Sequence, residues 1–230
     1  MQKPLLIFDC DGVLIDSEAI YLDVEFAFLE GKGVRVDREW YVREFLALAQ
    51  DLWRAKLSDL VAEHTGNPMS DNEYTALKAE SRRRVAEEVR TIAGVETLLE
   101  RLKATRCVAS STQLPFLGPK LERAGLARYF GDGVYSGDMV ENGKPAPDLF
   151  QHAASEMGYR ADDCIVVEDS ANGVRGGKAA GHHVIGFTGG THCLGNHAEL
   201  LRGAGADIVV SSHVELAEWL AENTGAFDAR

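Results

Sequence analysis

The sequence predicts an α/β fold: a doubly wound parallel sheet, covered by helices on both faces and interrupted by an all-helical insertion. One observation is a series of short apolar runs: Leu5-Leu6-Ile7-Phe8, Cys107-Val108-Ala109, Gly133-Val134-Tyr135, Cys164-Ile165-Val166-Val167, His183-Val184-Ile185-Gly186-Phe187 and Asp207-Ile208-Val209-Val210. Each is too short for a helix. From the second onward they alternate with helix-like segments over 95–103, 116–124, 147–157, 173–180 and 198–202. Continuous apolar strands alternating with helices belong to a parallel sheet buried on both faces. The other observation is a break in this rhythm. From Ser17 to about Val89 no strand-like run occurs, and apolar residues repeat at helical spacing: Ile20, Val24, Ala27 and Phe28; Trp53, Leu57, Leu60 and Val61; Tyr74, Leu77 and Val85, with Ser81 on the same face. The expected division is a core of residues 1–16 and 90–230 and a helical insertion of residues 17–89, with Gly66-Asn67-Pro68 as a turn inside it and Ala93-Gly94 at the return.

Composition narrows the function classes. The 230 residues are 45% apolar, enough for a large core. Net charge is −12, from 24 basic and 36 acidic residues, and the basic residues form no stripe. Nucleic acid and anionic membranes are therefore not expected partners. The four cysteines are scattered without a CxxC pair, and no apolar stretch approaches the ~18 residues of a membrane span. A cytoplasmic location is expected. Oligomeric state is left open, a monomer being sufficient. An acidic protein that binds an anionic substrate must supply local positive charge, from a metal ion or from placed Lys and Arg side chains.

Ligands of open α/β sheets lie beyond the carboxyl ends of the strands. Those ends carry Asp9-Cys10-Asp11-Gly12, Ser110-Ser111-Thr112 and Glu168-Asp169-Ser170, and the loop after the third strand carries Lys144-Pro145-Ala146-Pro147-Asp148. Asp9 and Asp11, two apart, with Glu168 and Asp169 would place four carboxylates in one crevice, where they repel unless a cation joins them. A hard, oxygen-seeking divalent ion, most simply Mg2+, answers that need and draws phosphate oxygens beside it. A small phosphorylated metabolite is the expected partner.

These residues carry a resemblance. The run Asp9-Cys10-Asp11-Gly12-Val13-Leu14-Ile15-Asp16-Ser17 resembles the first motif of the haloacid dehalogenase superfamily, mostly phosphatases and phosphomutases. Ser110 resembles its second motif, Lys144 in Lys-Pro-x-Pro-Asp its third, and Glu168-Asp169 its fourth, in the right order along the chain. The core would then be Rossmann-like, and the insertion resembles the helical cap of the subgroup holding β-phosphoglucomutase, phosphoglycolate phosphatase and sugar-phosphate phosphatases. The resemblance implies a phosphoric monoester hydrolase with an aspartyl-phosphate intermediate. Asp9 would be the nucleophile, and Asp11 the acid for the leaving alkoxide and then the base for water. Ser110 would hold a phosphoryl oxygen, helped by a backbone amide at Ser111 or Thr112. Lys144 would balance charge between Asp9 and the transferring group. Asp9, Asp11 through its backbone carbonyl, Glu168 and Asp169 would bind Mg2+.

Other readings compete. A calcium loop needs an oxygen ligand at Val13 and a Glu at Ile20, and has neither. A receiver-like phosphoacceptor domain would share the acidic site, but its acceptor follows a middle strand and it lacks an insertion. A β-phosphoglucomutase-like mutase needs a cation from the cap to grip a second phosphate. Around that place this chain reads Leu48-Ala49-Gln50-Asp51-Leu52, so Gln50 is the expected substrate contact and hydrolysis is favoured, with Arg54 and Lys56 as further candidates. Asn172 is expected to cap the helix after the fourth motif. His192, Cys193 and His197, lying among glycines without a fourth partner, are not read as a zinc site. Arg82-Arg83-Arg84 reads as a solvated helix face interleaved with Glu80, Glu87 and Glu88.

Overall fold

A computed structural model describes residues 3–45, 48 and 50–227. Ala49, within the segment considered for mutase-type recognition, lies outside the described residues. Strand β1 (Leu5–Phe8) is followed by α1 (Ser17–Gly31), α2 (Arg38–Phe45), α3 (Gln50–Thr65) and α4 (Asp71–Glu88). Then come α5 (Val95–Arg101), β2 (Arg106–Ser110), α6 (Leu114–Arg123), β3 (Val134–Ser136), α7 (Asp148–Glu156), β4 (Cys164–Glu168), α8 (Ala171–Ala179), β5 (His183–Phe187), α9 (His197–Ala204), β6 (Ile208–Val210) and α10 (His213–Asn223). The chain divides into two compact units, Met1–Asp16 with Arg90–Arg230, and Ser17–Val89.

All six apolar runs become strands of one parallel sheet, in the order β3-β2-β1-β4-β5-β6. Residues two apart on a strand share a face. Leu5 and Ile7 therefore pack with Cys107, Ala109, Cys164, Val166 and Val184 against Leu149, Phe150, Ala153 and Val174 of α7 and α8. Burying each large aliphatic side chain is worth about 1.5–3 kcal/mol, which outweighs the β-strand's ordering cost only because both faces are covered. The strand order reverses between β1 and β4, and ligands of open α/β sheets bind at such a reversal. There Phe8 is in register with Val167, so Asp9 and Glu168 leave the sheet side by side.

Helix α10 lies beyond the helix-like segments named from the sequence. Its buried face holds only Leu216 and Leu220 with the imidazole of His213, a weak apolar period, and its start is fixed by the Ser212 hydroxyl accepting from the Glu215 amide.

In the helical unit, Leu22, Val24, Leu29, Tyr41, Val42, Phe45, Leu57, Leu60, Val61 and Leu77 form a separate core. Tyr41 and Phe45 stack with centroids 4.2 Å apart. Ser70 and Glu73 close a capping box on α4. The expected solvated face forms, with Arg83 paired to Glu80 and Glu87, and Arg84 to Glu88. No described helix is long and apolar enough to cross a membrane.

Candidate active site

Asp9, Glu168 and Asp169 converge at the reversal point. One carboxylate oxygen from each lies within 4.8 Å of the others, and all three residues are buried. Burial, opposed by Lys144 and reinforced by Glu168, Asp169 and Asp11, holds the Asp9 carboxyl well above the usual carboxylate range. Burial and then Glu168 do the same to Asp169.

Lys144 supplies the compensating charge. Its ammonium donates to Asp9 Oδ1 at 2.5 Å, to Glu168 Oε1 at 2.7 Å and to the Ala109 carbonyl at 2.9 Å. Burial alone would push this ammonium down, but the Asp9 and Glu168 carboxylates outweigh it and hold the group above the ordinary lysine value. The Lys144–Pro145 peptide bond is cis.

Glu168 is engaged at both oxygens. Oε2 accepts from the Ser170 amide at 2.8 Å and from its hydroxyl at 2.9 Å, at the N-terminus of α8, where an anion is favoured. Gly173 makes this possible, because a Cβ there would meet Glu168 Oε1 at 1.7 Å. The cap of α8 is Ser170, whose hydroxyl accepts from the Gly173 amide at 3.0 Å, and not Asn172 as the sequence suggested. The helix begins earlier than expected, so Asn172 lies inside it and accepts from Arg175 at 3.1 Å.

Asp11 turns toward another partner. Lys120 Nζ lies 2.6 Å from its Oδ1 and 2.9 Å from its Oδ2, and the Thr112 hydroxyl donates to Oδ2 at 2.7 Å. Ser110 is buried, and its Oγ accepts from the Thr112 amide at 3.1 Å, so that amide is engaged within the loop. Ser111 is exposed on the same loop. Gln50 belongs to the helical unit, where it opens α3 and donates to the Tyr74 hydroxyl at 3.0 Å. In that unit Arg54 pairs with Asp71, and Lys56 with Glu44 at 2.7 Å.

Three residues that the motifs did not assign belong to this site. Lys120 is one. It is 6% exposed and sits between Leu117 and Leu121 on the buried face of α6, and a lysine at such a helical position is the signal that marks it. The others are His192, 2.8 Å from Asp169 Oδ2, and His197, whose Nε2 lies 2.6 Å from the Asp169 carbonyl oxygen. Cys193 Sγ is 3.2 Å from His192 Nε2, and the His192, Cys193 and His197 donors lie within 4.8 Å of one another. Asp169 is thus the shared partner of two imidazoles that the sequence showed only as a loose spacing among glycines.

The donor set fits a hard divalent cation. It consists of carboxylate oxygens, and their buried charge exceeds what Lys144 neutralises, which is the chemistry Mg2+ satisfies.

A family model for haloacid dehalogenase-like hydrolases matches residues 4–181. The chain belongs to that family. Among its relatives, the 6-phosphogluconate phosphatase of Escherichia coli K12 is 29% identical over 188 residues, 81% of this chain and 83% of that protein. The phosphorylated carbohydrates phosphatase of Thermotoga maritima is 30% identical over 208 residues, 89% and 93%. The crystal structure of a conserved haloacid dehalogenase-like protein of unknown function from Agrobacterium tumefaciens shares 36% identity and superposes with a TM-score of 0.87, covering 96% of this chain and 98% of that one. Like other members of the family, the chain is a hydrolase built on a Rossmann-like sheet, and it is a phosphoric monoester hydrolase.

Proposed function

We propose that this hydrolase cleaves small phosphate monoesters, sugar phosphates foremost, in a Mg2+-dependent reaction that passes through a phosphoryl group on Asp9. The observation that carries the reading is the Lys144 ammonium set between Asp9 and Glu168, with Asp169 completing a buried carboxylate group. The substrate class follows the two phosphatase relatives, whose names specify a phosphorylated sugar acid and phosphorylated carbohydrates.

Asp9 attacks phosphorus as the bond to the leaving oxygen breaks, and Asp11 gives that oxygen its proton. Water then attacks the same phosphorus and yields a proton to Asp11, while the bond to Asp9 breaks and returns the carboxylate and inorganic phosphate. Ser110 holds a phosphoryl oxygen, with the Ser111 amide beside it, and Lys144 offsets the charge that gathers on the transferring group. Asp9, Asp169 and the Asp11 carbonyl would hold Mg2+, with Glu168 orienting Lys144 and acting on the ion through water. When bound, the ion supplies charge neutralisation of the phosphoryl oxygens. A reducing cytoplasm suits the free cysteines, of which Cys10, Cys107 and Cys164 are buried.

The test is turnover of p-nitrophenyl phosphate and a panel of phosphorylated sugars and sugar acids, with β-glucose 1-phosphate isomerisation included. Asp9→Asn should reduce release of phosphate to background, and chelation of Mg2+ should stop the native enzyme. Substantial turnover by Asp9→Asn would overturn the nucleophile.

A further inference from the structure

Two aspartates of the first motif are each held by a different lysine. Lys144 takes Asp9 and Lys120 takes Asp11, and the proposed reaction gives a task only to the first. Lys120 occupies the core-facing position of α6 between Leu117 and Leu121, with its side chain 5% exposed. Burying an ammonium there is unfavourable unless it is paired, so packing alone would favour an apolar residue. Its Nζ engages both Asp11 oxygens, at 2.6 and 2.9 Å, and lies 3.3 Å from Thr112 Oγ1. Thr112 closes the frame: its hydroxyl donates to Asp11 Oδ2 at 2.7 Å, its amide donates to Ser110 Oγ at 3.1 Å, and its carbonyl accepts from the Ser136 hydroxyl at 2.8 Å. A carboxylate held at both oxygens by a charged donor has a fixed aim, and such bonds are roughly twice as strong as neutral ones.

We propose that Lys120 is a positioning residue: with Thr112 it clamps the Asp11 carboxylate in the orientation from which it takes the proton of the attacking water, and so governs release of the phosphoryl group from Asp9 rather than its capture. The inference rests on the reading of Asp11 as acid and base. Lys120 and Thr112 donate to both Asp11 oxygens and so present the side chain as an acceptor, and of Asp11's two tasks the one that needs an acceptor is taking the water proton. In that step the water oxygen bonds to phosphorus, the bond from phosphorus to Asp9 breaks with its electrons going to the Asp9 carboxylate, and the proton passes to Asp11. Lys120 stays an ammonium throughout.

p-Nitrophenyl phosphate separates the two half-reactions, because nitrophenolate departs without a proton from the enzyme. For this substrate kcat/KM reports transfer to Asp9, while kcat includes attack by water. Lys120→Met should lower kcat by about 10²-fold, the lower range of general acid–base effects, with kcat/KM nearly unchanged and KM falling in proportion. Rapid mixing should show a burst of nitrophenolate approaching one per enzyme and larger than that of the native protein. Lys120→Arg should restore part of kcat. Thr112→Val, which keeps the shape of the side chain, should move the same split in the same direction by less, and it decides the matter should Lys120→Met not fold. Equal loss of kcat and kcat/KM, or no loss, would overturn the clamp. Asp11→Asn distinguishes the two failures. A burst from Asp11→Asn but none from Lys120→Met sinks the role of Lys120 alone, and no burst from either sinks the reading of Asp11 as the base.

Discussion

Gly12 and Asp169 stand so close that a Cβ on Gly12 would lie 1.8 Å from Asp169 Oδ2 and 2.7 Å from His192 Cε1. Gly12 also has a φ of +79°, a left-handed conformation that costs an L side chain about 1–2 kcal/mol. Gly12→Ala therefore carries two penalties, backbone strain and displacement of a candidate metal ligand. Its melting temperature should fall modestly, while Mg2+ binding measured by calorimetry should weaken as severely as in Asp169→Asn. Native Mg2+ affinity in Gly12→Ala would show that Asp169 is not needed where it stands.

Lys144→Met would leave Asp9 and Glu168 buried without their cation. Breaking a buried pair by removing one partner typically costs about 3–5 kcal/mol. The deficit should depend on pH. The Asp9 carboxyl is raised by burial, so acid neutralises it in the folded state and relieves the variant, whereas raising the pH restores the uncompensated charge. Urea unfolding without Mg2+ should therefore show a larger loss relative to the native protein at pH 8 than at pH 5.5. An equal loss at both would mean that the carboxylates do not carry the penalty.

The strands and the motif residues were legible because their signals are local. A parallel strand buried on both faces is a continuous apolar run, and Asp9, Ser110 and Glu168 follow such runs directly. Lys120, His192 and His197 were not legible as site residues because their roles are tertiary. Lys120 meets an aspartate 109 positions away, and His197 meets a carbonyl 28 positions away. What the sequence did hold was an anomaly, a lysine where α6 turns its apolar face inward. Asp11 shows the same limit in reverse: its spacing from Asp9 suggested a shared carboxylate cluster, but α6 brings an ammonium that draws it aside. The capping of α8 was misplaced because Ser170 and Asn172 are both good cap residues, and only the Gly173 amide's direction decides between them.

His192 and His197 hold Asp169 from its carboxylate and its backbone carbonyl. Partners that orient a metal ligand typically contribute about 10–100-fold to metal affinity. His192→Ala should weaken Mg2+ binding by that order in a calorimetric titration of the inactive Asp9→Asn background, relative to Asp9→Asn alone. His197→Ala should have a smaller effect, because the backbone it contacts is already fixed by β4 and α8. Unchanged affinity in the His192 variant would show that Asp169 is aimed without the imidazole.

Glu25 lies in α1 and accepts from the Tyr41 hydroxyl at 2.9 Å. Burial raises its carboxyl to about 7, against which the hydrogen bonds of Tyr41 and Trp53 and the charge of Lys78 act only in part. The folded state therefore binds a proton that the unfolded chain, titrating near 4.5, releases earlier. This group's contribution is therefore fully present below pH 4.5, declines as pH rises, and is lost above about 7. At 1.36 kcal/mol for each unit of displacement, the loss is at most about 3 kcal/mol. Glu25→Gln keeps a neutral acceptor for Tyr41 and removes the titration. Relative to the native protein, the variant should gain stability progressively between pH 5 and pH 8 in denaturant unfolding, with little difference at pH 4.5. A constant difference across that range would mean that Glu25 does not stay protonated in the folded helical unit.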